Sequence, residues 1–181
     1  MTLPTRIAQL GAVMQLAFVP ADFDATLRFW IETMGAGPFY ILSGYDPDWT
    51  RYRGALTRPD LEIALGHWGD MQIEIIRQRN DAPSIYKEWR DRGGEGLHHT
   101  CIVVEDLEQA KRVCAEAAAE TILGGAGNGA EWFYVDTGGG PGTIVEIIRH
   151  SAITAGLMKM IRDAAVDWDG TDPIRRNERP R

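Results

Sequence analysis

The sequence predicts an α+β protein assembled from two related halves, and three observations carry that expectation. In the first, Thr100 to Val104 is β-branched or apolar, and Asp106 is followed by Leu107, Ala110, Val113, Cys114 and Ala117 at helical spacing. That reads as a strand running into a capped amphipathic helix. The second is a copy near the N-terminus. There an apolar run after Gln15 reaches Asp22 and continues as Phe23, Leu27, Trp30, Ile31 and Met34, and Gln15 precedes Asp22 by the interval that separates His99 from Asp106. The third lies downstream, where Ile73-Glu74-Ile75-Ile76-Arg77-Gln78 is echoed by Val145-Glu146-Ile147-Ile148-Arg149-His150, each an apolar strand broken by one carboxylate. Internal similarity of this kind signals a duplicated structural unit, longer than a solenoid repeat and present twice.

Taken in order, residues 1–10 lead into a strand over 13–19 and a helix over 22–34, which Gly35 and Gly37 terminate before Pro38. A strand over 39–42 and a loop-rich stretch over 43–60 precede two strands, 61–68 and 71–78, joined at Gly69-Asp70, a short-hairpin signal. Asp81-Ala82-Pro83-Ser84 opens a short helix to about Arg90, and 91–96 is a flexible connection between the halves. After the strand and helix of the second half, the glycine-rich 124–129 reads as a loop, and 132–135 and 143–149 as a hairpin across Gly138-Gly139-Gly140-Pro141-Gly142. Neither glycine run contains GKS, GKT or GxGxxG, so both are read as turns and not phosphate cradles. Ile153, Leu157, Met160, Ile161, Ala164 and Trp168 trace the stripe of a C-terminal helix. The expected organisation is a first unit over 1–92, a second over 93–150, and a C-terminal helix with a basic tail over 151–181.

Acidic residues outnumber basic ones, 26 to 19, and the net charge of -7 repels nucleic acid and anionic membrane surfaces, so neither is an expected partner. The basic cluster Arg175, Arg176, Arg179 and Arg181 reads as a solvated, partly disordered tail. Two cysteines, with no signal peptide and no apolar run of membrane length, make a reduced cytoplasmic location the expectation. Cys101, alone in an apolar strand, is read as a small core residue and not as a nucleophile.

A carboxylate in the middle of an apolar strand is expensive unless something pairs with it. Glu74 and Glu146 are both so placed. Taken singly, each glutamate reads as an edge-strand residue facing water and Gln15 as a satisfied polar side chain. In matched positions of two matched halves, Gln15, Glu74, His99 and Glu146 instead form one mononuclear site, in which a divalent cation cancels the carboxylate charges. Strand alternation puts His99 on one face with Cys101 and Val103 and leaves His98 on the other as a structural residue. His67 and His150 are read as surface residues, and Ala17, Cys101, Trp68, Trp132 and Tyr134 as pocket walls.

Over about residues 12–149 these residues and intervals resemble the vicinal oxygen chelate superfamily, which includes glyoxalase I, methylmalonyl-CoA epimerase, extradiol dioxygenases and bleomycin-resistance proteins. Gly-Leu-His-His-Thr-Cys-Ile-Val-Val-Glu-Asp-Leu is similar to the family's second-half opening, and Gln15 with Asp22 to its first. The resemblance implies two βαβββ modules forming a curled mixed sheet around a metal cleft, here with an added C-terminal helix, and usually a homodimer. Carried over position by position, it implies Gln15, Glu74, His99 and Glu146 as ligands of one divalent ion, with Zn, Ni, Co, Mn or Mg ahead of Fe. It departs from glyoxalases that use glutathione: Val19 stands where those carry an arginine, and Gln78 where they carry an asparagine.

The function so implied is that of a metal-dependent isomerase or lyase, glyoxalase- or epimerase-like. It moves a proton next to a carbonyl through a metal-stabilised enediolate, with Glu146 as base and Glu74 as its counterpart. The substrate is a small carbonyl compound or a thioester. The alternatives are a metal-free small-molecule binding protein of the bleomycin-resistance kind and, further behind, an extradiol-type dioxygenase, whose iron triad of two histidines and one carboxylate this set does not match.

Overall fold

The computed structural model describes residues 6–176, and in it the first half opens with strand β1 (Val13–Phe18) and helix α1 (Phe23–Arg28). Asp22 caps α1 by accepting from the Ala25 amide, and a π-helical turn, Phe29–Thr33, carries the helix to its expected end. Then come β2 (Phe39–Ser43), β3 (Trp49–Tyr52), β4 (Ala55–Leu56), β5 (Leu61–Trp68), β6 (Met71–Gln78) and α2 (Ile85–Asp91). The second half runs β7 (Leu97–Val103), α3 (Leu107–Glu116), β8 (Glu120–Gly127), β9 (Ala130–Asp136) and β10 (Ile144–Arg149), with Asp106 capping α3 as Asp22 caps α1. Helix α4 (Ala152–Ala165) and strand β11 (Ile174–Arg176) follow.

The strands form one mixed sheet in the order β11-β2-β5-β6-β1-β7-β10-β9-β8-β3-β4. The halves join where β1 and β7 run antiparallel, and in each half the first strand lies parallel to the last, β1 to β6 and β7 to β10. The order β2-β5-β6-β1 is therefore matched by β8-β9-β10-β7, so the repeat legible in the sequence is a repeat of topology. The result is an α+β architecture of two βαβββ modules in a curled sheet.

Strand alternation sorts the side chains into two layers. On one face Phe23, Leu27 and Trp30 pack over Phe39, Ile41, Ala64, Ile73 and Ile75, while Leu107, Ala110 and Cys114 pack over Phe133, Val135 and Ile147. The other face lines the cleft, where Ile85 and Tyr86 of α2 meet Ala17, Val19, Ile76, Ile122, Leu123 and Tyr134. Helix α4 follows β10 and reaches β6 through a contact between Met158 and Gln72, and the chain after it returns to the opposite edge, where β11 lies parallel to β2.

Three stretches depart from expectation. Residues 124–129, read as a loop, lie mostly in β8, because aromatic neighbours occupy the space its side chains would need: a Cβ on Gly125 would stand 2.6 Å from the Trp132 ring. The loop-rich 43–60 contains β3 and β4, and β3 leaves its own half to pair with β8. The basic tail is ordered where it is described, since Arg175 and Arg176 belong to β11 and Arg175 donates to Tyr40 Oη at 3.0 Å. Arg179 and Arg181 lie outside the described residues. Both outer edges of the paired modules are thus covered by borrowed strands, which leaves fewer open ladder groups.

Candidate metal centre

The register of four strands assembles the candidate residues. In one row Glu74 neighbours Ala17 and Ala17 neighbours His99; in the next, Gln15 neighbours Cys101, and Glu146 lies between Cys101 and Tyr134. Neighbours in a row, and residues two apart on a strand, share a face, so all four candidates point from the cleft side. The intervening Leu16, Ile73, Ile75 and Ile147 go to the helix-covered layers.

Glu74 Oε2 lies 3.4 Å and Glu146 Oε2 3.6 Å from the same nitrogen, His99 Nε2. One donor atom from each of Glu74, His99 and Glu146 falls within 4.8 Å of the others. The His99 side chain is sealed at 0% exposure, whereas those of Glu74 and Glu146 keep 10% and 11%, so the cluster is approached from its carboxylate side. Gln15 is also buried; its Nε2 donates to Gln72 Oε1 at 2.7 Å.

A divalent cation suits this donor set. Buried polar atoms are nearly always partnered, yet Gln15 Oε1, Glu74 Oε2 and His99 Nε2 have no hydrogen-bond partner, and an oxygen or an imidazole nitrogen is the kind of atom a cation takes. Three oxygen donors and an imidazole match borderline and hard divalent ions, and two carboxylates supply the compensating charge.

The electrostatics separate the two acids. Burial is the main influence on Glu74 and raises its pKa, only partly opposed by His99. Burial also works against ionisation of Glu146, but the neighbouring His99, and then Tyr134 and Cys101, outweigh it and the pKa is lowered. His99 is penalised by burial too, yet the carboxylates of Glu146 and Glu74 beside it carry it up to about 9. Cys101 is driven well upward, first by burial and then by the two glutamates, so its thiol stays protonated, as expected of a core cysteine.

Several side chains sit elsewhere than the sequence suggests. His98 does not turn to the opposite face: its Nδ1 lies 2.9 Å from His99 Nδ1, and its ring lies tilted against Tyr86 and edge-on to Trp89. The cause is a bulge, in which Ala17 pairs with His99 and Phe18 with Leu97, so that His98 is the extra residue and alternation breaks there. His67 is buried, not superficial, and lines a cavity of about 350 Å³ with Asp70, Arg162 and Trp168 near the end of α4. His150 is half-buried. Of the five wall residues, Ala17, Cys101, Trp132 and Tyr134 are on the cleft side, but Trp68 meets Trp30 edge-on in the opposite layer because it is out of phase with His67. Two cleft residues escaped the sequence reading. Gln72 was detectable as a polar residue two before Glu74; Tyr86, whose hydroxyl lies 3.0 Å from that of Tyr134, comes from a helix whose docking the sequence does not show.

Fold and cluster together define a paired βαβββ protein with an acid–imidazole site facing its cleft. The family model described as the Glyoxalase/Bleomycin resistance protein/Dioxygenase superfamily matches residues 14–135, and the chain belongs to that superfamily. No curated protein matches the chain. Among solved structures it is similar to a hypothetical protein of Bacillus halodurans, at 17% identity and a TM-score of 0.57 over 77% of this chain and 94% of that one. It is also similar to methylmalonyl-CoA epimerase of Mycobacterium tuberculosis, at 14% identity and a TM-score of 0.56 over 86% and 97%. A Streptomyces coelicolor methylmalonyl-CoA epimerase variant in complex with 2-nitronate-propionyl-CoA gives 16% and 0.53 over 79% and 96%. At these identities the likeness is one of fold.

Proposed function

We propose that the protein is a divalent-metal-dependent isomerase or lyase that moves a proton on the carbon next to a carbonyl, and that its substrate is an acyl thioester. The observation that carries this reading is the placement of two buried glutamates on one imidazole nitrogen with their pKa values displaced in opposite directions. Two titratable groups pushed apart in this way divide the work of base and acid. Glu146, whose pKa is lowered chiefly by the neighbouring His99, accepts the proton from carbon; Glu74, whose pKa burial raises, is its counterpart across the site. Gln15, Glu74, His99 and Glu146 would hold the cation, which supplies polarisation of the carbonyl oxygen and relief of carboxylate repulsion. Tyr86, Tyr134, Ile122 and Leu123 make an apolar wall that excludes water from the carbon centre.

A thioester is favoured over a glutathione adduct because neither glutathione-anchoring position offers a free group. Val19 is a buried hydrocarbon, and the Gln78 amide is occupied, donating to the Asn80 and Ala82 carbonyls at 2.9 and 2.7 Å and accepting from Ser84. The methylmalonyl-CoA epimerase likeness agrees with that choice. A homodimer belongs to the same reading.

The test is elemental analysis of the purified protein joined to a solvent-exchange screen in D₂O. The expected result is a bound divalent metal and deuterium entering the carbon next to the carbonyl of a 2-methylacyl thioester. Exchange confined to glutathione hemithioacetals would overturn the substrate class. Metal-free protein that binds such compounds without exchanging them would replace the enzyme with a binding protein.

A further inference from the structure

We propose that Gln72 is a positioning residue that decides which end of the Gln15 amide faces the cation, and that Met158 of helix α4 sets Gln72 in turn. The proposal rests on the metal-centre reading above and adds to it a chain of command running in from the C-terminal helix.

A glutamine is an ambiguous ligand. Its carbonyl oxygen coordinates a cation, while its NH₂ group is a donor that repels one, and the two ends have nearly the same shape. Something must therefore fix the amide, and burial leaves bulk water no part in it: Gln15 is 5% and Gln72 1% exposed. The two are neighbours across the parallel strands β1 and β6. Gln15 Nε2 donates to Gln72 Oε1 at 2.7 Å, which turns Gln15 Oε1 away from Gln72 and leaves that buried oxygen without a partner. Rotating the Gln15 amide by half a turn would set two carbonyl oxygens against each other.

That reasoning moves the ambiguity to Gln72, which could present its own NH₂ to Gln15. Met158 removes it. Gln72 Nε2 lies 3.3 Å from Met158 Sδ, and a thioether has lone pairs but no hydrogen to give. The polarity is thus one-way: sulfur accepts from Gln72, Gln72 accepts from Gln15, and the oxygen of Gln15 is left for the cation. Helix α4 lies beyond the residues that the superfamily model matches, so a segment outside that match is wired to the ligand set.

The decisive experiment is a double-mutant cycle read by Co²⁺ binding to chelator-treated protein, using calorimetry, with circular dichroism to verify folding. Gln72→Met keeps the length of the side chain and removes the acceptor, and is expected to weaken Co²⁺ binding roughly ten- to a hundredfold, the usual effect of losing an outer hydrogen-bond partner of a ligand. Gln15→Glu offers an oxygen at either end, so in that background Gln72→Met is expected to cost less than about twofold. An equal loss in both backgrounds would assign Gln72 a general packing role and overturn the proposal, as would undiminished binding in Gln72→Met alone. If Gln72→Met does not fold, Met158→Leu carries the test from the helix side, with a smaller loss in the same direction expected in the natural background and none with Gln15→Glu. No Co²⁺ binding by the unaltered chain would overturn the metal centre itself, a result distinct from failure of Gln72 alone.

Discussion

His98 and His99 face one another through their Nδ1 atoms at 2.9 Å, although they are successive residues of one strand. One of those atoms must donate and the other accept. Burial, and then the charge on His99, bring His98 down to about 3, so His98 is neutral and accepts while His99 donates. That bond leaves His99 Nε2 for the two glutamates, and metal-ligating histidines commonly use their second nitrogen in this way. His98→Phe preserves ring volume and removes the acceptor. Metal affinity by calorimetry is expected to fall roughly ten- to a hundredfold, and an unchanged affinity would show that the bond does not orient His99.

Metal binding is expected to be steeply pH-dependent. His99 in the metal-free protein is raised from 6.5 to about 9, so its imidazolium stabilises the fold below its unfolded pKa of 6.5. That contribution, up to about 3 kcal/mol, is lost as pH rises through about 9. A cation requires the same nitrogen deprotonated, so affinity climbs about tenfold per pH unit until it levels near 9. Calorimetry near pH 7, repeated in buffers of different ionisation enthalpy, should count at least one proton released per ion, and a count of zero would contradict the assignment of His99 as a ligand.

Removing the metal is expected to cost stability, since Gln15 Oε1, Glu74 Oε2 and His99 Nε2 are then buried without partners. A cation present at about a hundred times its Kd should add roughly 2.7 kcal/mol to unfolding. Thermal denaturation with and without chelator measures this. A Tm indifferent to Zn²⁺, Ni²⁺, Co²⁺, Mn²⁺ and Mg²⁺ alike would argue for a metal-free binding cleft.

The division of labour between the acids is open to direct measurement. Glu146→Gln is expected to lower the rate of proton exchange by roughly 10²–10⁴-fold. Glu74→Gln, which still presents a donor, should retain more of the exchange into solvent while losing return of the proton to the opposite face. Metal content must be measured for both variants. Full exchange activity in metal-loaded Glu146→Gln would remove it as the base.

The lacing of the two halves makes its own prediction. A Cβ on Gly125 would stand 2.6 Å from the Trp132 ring and 3.0 Å from the Trp49 carbonyl oxygen, the second being backbone of the borrowed strand β3. Gly125→Ala is therefore expected to destabilise by about 1–3 kcal/mol, as overpacking does. Chemical denaturation would detect it, and a neutral result would mean that β3 is free to shift.

Much of this was legible without coordinates, and the reasons differ from residue to residue. Glu74 and Glu146 stood out because each interrupts an apolar strand, and the matched intervals from Gln15 to Asp22 and from His99 to Asp106 tied them to the openings of their halves. The hairpin at Gly69-Asp70 and the caps Asp22, Ser84 and Asp106 were readable because they rest on local backbone chemistry. Strand β8 was not, since its glycines carry a turn signal that is overridden only by the rings of Trp132 and Tyr45 packed against them.

Local pattern is enough for the duplication and for the polar positions within apolar strands, and through them for the candidate donors Gln15, Glu74, His99 and Glu146, because periodicity and charge burial act over a few neighbouring residues. How those positions meet depends on long-range packing. The bulge that swings His98 onto His99 exists only once β7 is laid against β1, and the link from Met158 through Gln72 to Gln15 exists only once α4 docks against β5 and brings Met158 to Gln72. Register and helix docking are properties of contacts between distant segments, and no local pattern in the chain encodes them.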